Sequence, residues 1–195
     1  MRGLSFPALL LSLVACVSGM NEYEGSGQQW QEEVELQDGR VIVVTRTTYY
    51  SAYCGPGVRC VTSRGHETRG KIEFEHAGER VVWVEKMRPI ILQVDRDDPV
   101  VVGTFRSCGQ YNSYYYELYG KLDYTAPLYL AFRYKGGKWH KLPVEELTFP
   151  LEANLLVNSE GFGSWTSLKR KQELNSRFGL NRAYLRVYPR RRVCQ

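Results

Sequence analysis

Two glycine-centred turns constrain what this chain can fold into more than any other feature. In "WQEEVELQDGRVIVVTRTTYY", Trp30 to Tyr50, Asp38-Gly39 separates two extended runs. Asp-Gly in that setting marks a β-hairpin, because both turn positions of the favoured type I′ turn need a positive φ. It predicts that Glu32–Gln37 pairs with Arg40–Tyr49. "YLAFRYKGGKWHKL" repeats the design around Gly136-Gly137. Between these hairpins lie Lys71–His76, Arg80–Lys86, Ile90–Asp95 and Val100–Phe105, each short, rich in Val, Ile, Trp or Phe, and bounded by Gly, Pro or Asp. Ala77-Gly78-Glu79 joins the first two. Short strands at such spacing predict a mainly-β fold, a single antiparallel sandwich, barrel or propeller-like sheet. Helical signals are few. "SLKRKQELNSRFG" predicts one short C-terminal helix, with Ser167 as N-cap, Leu168, Leu174 and Phe178 as contacts and Gly179 past its end. Pro143 to Leu147 reads as a single turn, and "AYLRVYP" as a last strand.

The N-terminal segment predicts export. Met1-Arg2-Gly3 precedes an apolar run from Leu4 to Val14. One positive charge before about a dozen apolar residues is the pattern of a signal peptide. The run is short of the roughly 20 apolar residues that a spanning helix requires. It ends in Leu13-Val14-Ala15-Cys16, which resembles a bacterial lipobox. In that chemistry the Cys16 thiol takes diacylglycerol, the bond before it is cut, and the new N-terminus is acylated by a chain such as palmitate. Several chains together hold a protein on a bilayer where one chain alone is marginal. Val17, not aspartate, follows the cysteine, which by analogy with enteric lipoproteins points to the outer membrane. Val17-Ser18-Gly19 also reads as an ordinary cleavage site, leaving Met20 first and a soluble periplasmic or secreted protein. The resulting organisation is a signal peptide over 1–15, a lipidated Cys16 and polar tether to residue 29, and one domain over 30–195.

Five cysteines are present. Without Cys16, the remaining four, Cys54, Cys60, Cys108 and Cys194, form an even set, which in an exported chain reads as disulfides. Four cysteines allow three pairings. Cys54 with Cys60 and Cys108 with Cys194 is the favoured one, because Gly55 to Arg59 would close a small turn. Their scatter argues against a zinc site. The formal charge of +5 owes part of its size to Arg190-Arg191-Arg192, which reads as a solvated tail.

Catalytic signatures are missing from the sequence. His66, Glu67, Glu75 and His76 do not match H-E-x-x-H. They read instead as charges on a surface strand. Ser164 in "GFGSWTS" is not a nucleophile elbow. No phosphate-binding glycine motif occurs, so neither nucleotide nor any cofactor is expected, nor nucleic acid, since the aromatic residues are not interleaved with cations. The unusual stretch is "YNSYYYELYGKLDYTAPLY", which holds seven of the fourteen tyrosines. Tyrosine gives wide contact area at low entropy cost, as binding loops exploit. Tyr111, Tyr114, Tyr115, Tyr116 and Tyr119 are therefore the candidate binding surface, for an envelope protein or a cell-wall glycan. The alternative is a half-exposed strand whose tyrosines pack across the sheet.

The motifs Trp30-x-Glu32-Glu33-Val34-x-Leu36-x-Asp38-Gly39-Arg40-Val41-Ile42-Val43-Val44, "VVGT" from Val101, "LYGK" from Leu118 and "GGxW…LP" from Gly136 to Pro143 occur in that order. In this the chain resembles a family of uncharacterised proteobacterial envelope proteins, over roughly Trp30 to Pro150. The resemblance implies a bacterial exported protein and carries no activity or site residue with it. The expected role is that of an envelope lipoprotein acting by binding or structural association. The rivals are the soluble binding protein or inhibitor already named, and an enzyme acting on cell-wall polymers.

Overall fold

The computed structural model describes residues 27–53, 61–121, 126–156 and 164–177. These form a two-sheet β-sandwich with two helices. Strands β1 (Gln28–Glu35), β2 (Val41–Tyr53), β3 (Val61–His76), β4 (Glu79–Glu85) and the two-residue β9 (Trp165–Thr166) build the first sheet, in the order β4-β3-β2-β1-β9. Strands β5 (Arg88–Asp95), β6 (Asp98–Thr104), β7 (Tyr129–Lys135) and β8 (Lys138–Leu142) build the second, in sequence order. All pairs are antiparallel except β1 with β9.

Both predicted hairpins form. Val34 sits opposite Ile42 across the Asp38-Gly39 turn, and Tyr134 opposite Trp139 across Gly136-Gly137. The two glycines adopt φ of 59° and 78°, the left-handed values that a type I′ turn demands. Arg96 and Asp97 accept similar values, 53° and 70°, between β5 and β6 without any glycine. Strand β1 begins two residues before Trp30, because Gln28 and Gln29 pair with Thr48 and Thr47 and so belong to the body rather than to a tether.

Alternation decides the core. Val34, Val44, Ile72, Phe74, Val81 and Trp83 of the first sheet pack against Leu92, Val101 and Phe132 of the second. Trp83 meets Phe132 edge to face at 5.4 Å. The back of the second sheet is covered as well: Ile90, Val100, Val102 and Ala131 lie under Val144 of the 3-10 turn Val144–Glu146 and under Phe149. Burial on both faces explains why β5 and β6 read as continuous apolar runs.

The first helix, α1 (Cys108–Tyr119), corrects the sequence reading. Tyr111 to Tyr119 of the tyrosine-rich stretch are helical, neither loop nor strand, and Tyr129 opens β7. Ser107 Oγ accepts from the Gln110 N–H at the N-cap, and Gly120 ends the helix with φ 67° while donating to the Tyr116 carbonyl at 2.8 Å. Tyr111, Tyr114 and Tyr115 fall at helical spacing on one face, around the Phe105 ring. They are core residues. Tyr111 donates to the Ala126 carbonyl and Tyr115 to that of Pro127, at 2.8 and 2.7 Å, which fixes the approach to β7.

The second helix, α2 (Leu168–Arg177), starts where predicted, with Ser167 Oγ accepting from the Arg170 N–H and Leu174 buried. Phe178, Gly179 and the expected last strand lie outside the described residues. An ionic cluster holds α2 to the body. Glu32 and Arg46 point inward from β1 and β2, into rows that periodicity assigns to apolar side chains. Arg46 donates to Glu32 at 2.8 Å and to the carbonyls of Leu156 and Pro89, while Glu32 also accepts from the Leu156 N–H. Lys171 of α2 reaches in to donate to the carbonyls of Glu33 and Asn154 and lies 3.4 Å from Glu32. Burial lowers the Lys171 pKa, against the pull of Glu32. Asn154 and Leu155 meanwhile bond the backbone of Leu92 and Ile90, sealing the free edge of β5.

Candidate functional site

The two ends of the sandwich differ. One end carries the four tight turns, tied together by His76 with the Asp97 carbonyl at 3.0 Å and by Gln37 with Gln93 and Val94. The other carries α1 and the longer connections. Sites tend to form where irregular segments meet a rigid scaffold, and here the α1 end holds a groove of about 400 Å³. Its walls are the end of β4 (Val84 and Glu85), Lys86 just past it, the last turns of α1 (Tyr114, Glu117 and Leu118), Arg69 of β3 and Lys141 of β8.

Register explains the assembly. Gln28, Thr48, Gly70 and Glu85 form one transverse row across four strands. Gly70 is obligatory in that row, since a Cβ there would stand 2.5 Å from the Met87 carbonyl oxygen and 2.7 Å from Pro89 Cδ. This close approach draws the β4–β5 connection, and Lys86 with it, under α1. Lys86 then bridges to both carboxylate oxygens of Glu117, at 3.0 and 2.8 Å. Lys141 donates to the Tyr114 hydroxyl at 2.6 Å and lies over the rings of Tyr114 and Phe132.

The protonation states follow from position. Burial raises the Glu85 pKa, more than Lys141, the Lys86 N–H and Arg69 lower it. Burial also raises that of Tyr114, only partly countered by Lys141. For Lys141, burial works against the charge, but the Tyr114 hydroxyl and Glu85 outweigh it and the pKa rises. Lys141 therefore stays a cation and Tyr114 a neutral phenol at neutral pH. Such a pair is neither general base nor nucleophile. It can hold an anionic or hydroxylated group by hydrogen bonds and charge.

Of the sequence candidates, only Tyr114 contributes to the groove wall. Tyr111 and Tyr115 lie behind it in the core, while Tyr116 and Tyr119 are exposed on the last turn of α1. Cys108 opens α1 and is disulfide-bonded, its partner lying outside the described residues. Cys16, Cys54, Cys60 and Cys194 lie there too, as does the arginine run. Glu67 is not a surface charge: it is buried, and its Oε2 accepts from both Nε and Nη2 of Arg88. No group of three or more potential metal ligands occurs among the described residues. Arg69, Glu85, Lys86, Glu117 and Lys141 went unread in the sequence, because they come from both sheets and α1 and only the fold brings them together. No family model, curated protein or solved structure matches the chain.

Proposed function

We propose that this chain is an exported, lipid-anchored binding protein of the bacterial envelope, with the groove at the α1 end as its recognition surface. Cys16 carries the lipid, and the residues up to 27 tether it to the sandwich. The observation that carries binding is the groove's set of hydrogen-bonding cations: Lys141 donates to the Tyr114 hydroxyl at 2.6 Å, and Lys86 meets Glu117 at the exposed rim. The oxidised state of Cys108 supports an oxidising compartment and hence export.

The test is to express the full-length chain in a Gram-negative host fed an alkyne fatty acid, beside Cys16→Ala. Label and detergent-phase partition on the wild type alone are expected. An unlabelled protein beginning at Met20 overturns the anchor and leaves a soluble periplasmic or secreted binding protein.

A further inference from the structure

We infer that the α1 end is also the face that rests on the membrane: the last turn of α1, with the cations around the groove, lies on an anionic lipid surface. This rests on the reading of Cys16 as the anchor. The first support is chain direction. Strand β1 starts at Gln28, in the same transverse row as Glu85 of the groove, and runs away from it to the tight turns. Four neighbouring strands put those two residues about 14 Å apart. Twelve residues, Cys16 to residue 27, span at most about 40 Å. A lipid on Cys16 thus keeps the start of β1, at the α1 end, within that reach of the bilayer. The eight residues of β1 carry the turns about 25 Å further off.

The second support is chemistry. Tyr116, Leu118 and Tyr119 are 58%, 50% and 60% exposed within a single helical turn. Two tyrosines and a leucine at one protruding tip suit the headgroup level, where an amphipathic ring has both its media. Around them stand Arg69, Lys86 and Lys141 of the groove and the exposed Lys121, against Glu85 and Glu117. The excess is positive. The Lys86–Glu117 pair is solvent-exposed, 40% and 56%, so a lipid phosphate can replace the carboxylate at little cost. The opposite end lacks this pairing of apolar tip and positive excess: its turns show Asp38, Glu79, Asp97 and Asp98 against Arg40, Arg96, Lys135 and Lys138, with signs in balance. The positive excess favours anionic lipid over a second copy of this same surface, which would repel itself.

The experiment is hydrogen exchange on the lipidated full-length protein in nanodiscs, with phosphatidylglycerol or with phosphatidylcholine alone. On the anionic discs, amides of 116–121 should exchange about fivefold slower than on neutral ones. Those of the four turns should not change. The triple variant Tyr116→Ser, Leu118→Ser, Tyr119→Ser should lose the slowing while keeping its thermal midpoint. Equal exchange on both discs, with intact mass showing the lipid on Cys16, overturns the membrane face and leaves the anchor standing. Protection that instead grows with protein concentration, whatever the lipid, assigns the tip to self-association and overturns the proposal. An intact mass without lipid overturns the anchor and this orientation together.

Discussion

A buried charge is tolerable only when its partners are all present, and Glu32 shows how far a single side chain can matter. It balances Arg46 and stands beside Lys171 while accepting from the Leu156 N–H. Glu32→Ala leaves two cations facing each other in the interior, and urea unfolding should register a loss of about 3–5 kcal/mol. Lys171→Met keeps the Glu32–Arg46 pair and forfeits two bonds to carbonyls, so a smaller loss of about 1–3 kcal/mol is expected. The reverse order would show that the pair does not organise the cluster. Glu85 predicts a pH effect. Burial raises its pKa in the fold, so the native state keeps that proton longer than the unfolded chain does. Stability then falls as pH rises from about 4.3, the unfolded value, through the folded one, and the cost persists above it. Glu85→Gln should raise the thermal midpoint at pH 7 and narrow its difference from pH 4. An unchanged pH profile would show that Glu85 is not desolvated.

Among the elements, α1 separates what the sequence revealed from what it concealed. The hairpins were legible because turn chemistry and period-2 alternation agree at Asp38-Gly39 and Gly136-Gly137. The helix was hidden because tyrosine has no strong helical preference and reads equally well as strand or loop. The signals that reveal it were nonetheless there: Ser107 and Gly120 bracket a run whose tyrosines fall at 111, 114 and 115. The charges of the groove carry no local signal, since they come from β3, the end of β4 and its connection to β5, α1 and β8, which only the packing of the two sheets and α1 brings together. Nor do Glu32 and Arg46, which break the very alternation that identifies their strands. The helix also makes a sharp mutational prediction. Tyr115→Ser should cost about 3–5 kcal/mol, the scale of an aromatic ring removed from a core, and Tyr114→Ser should also destabilise. Tyr116→Ser should leave the thermal midpoint within a degree or so, as for an ordinary surface change. Equal effects at all three positions would mean that α1 does not pack as described.

For the molecule as a whole, a disulfide at Cys108 fastens α1 to a part of the chain outside the described residues. Reduction should lower stability by about 2–4 kcal/mol, measured as the thermal midpoint with and without reductant. No change would mean that the bond closes nothing that matters to the fold. The Glu32 cluster has a temporal consequence. Glu32 and Arg46 are made early, yet the Leu156 amide that completes their setting comes 124 residues after Glu32, and Lys171 later still. Until those arrive, the first hairpin holds two charges it cannot bury, and the sandwich cannot close. A chain made from its N-terminus is thereby held open until its last quarter has been synthesised, and its folding is deferred to that point. A nascent chain halted ahead of Leu156 should remain fully sensitive to protease.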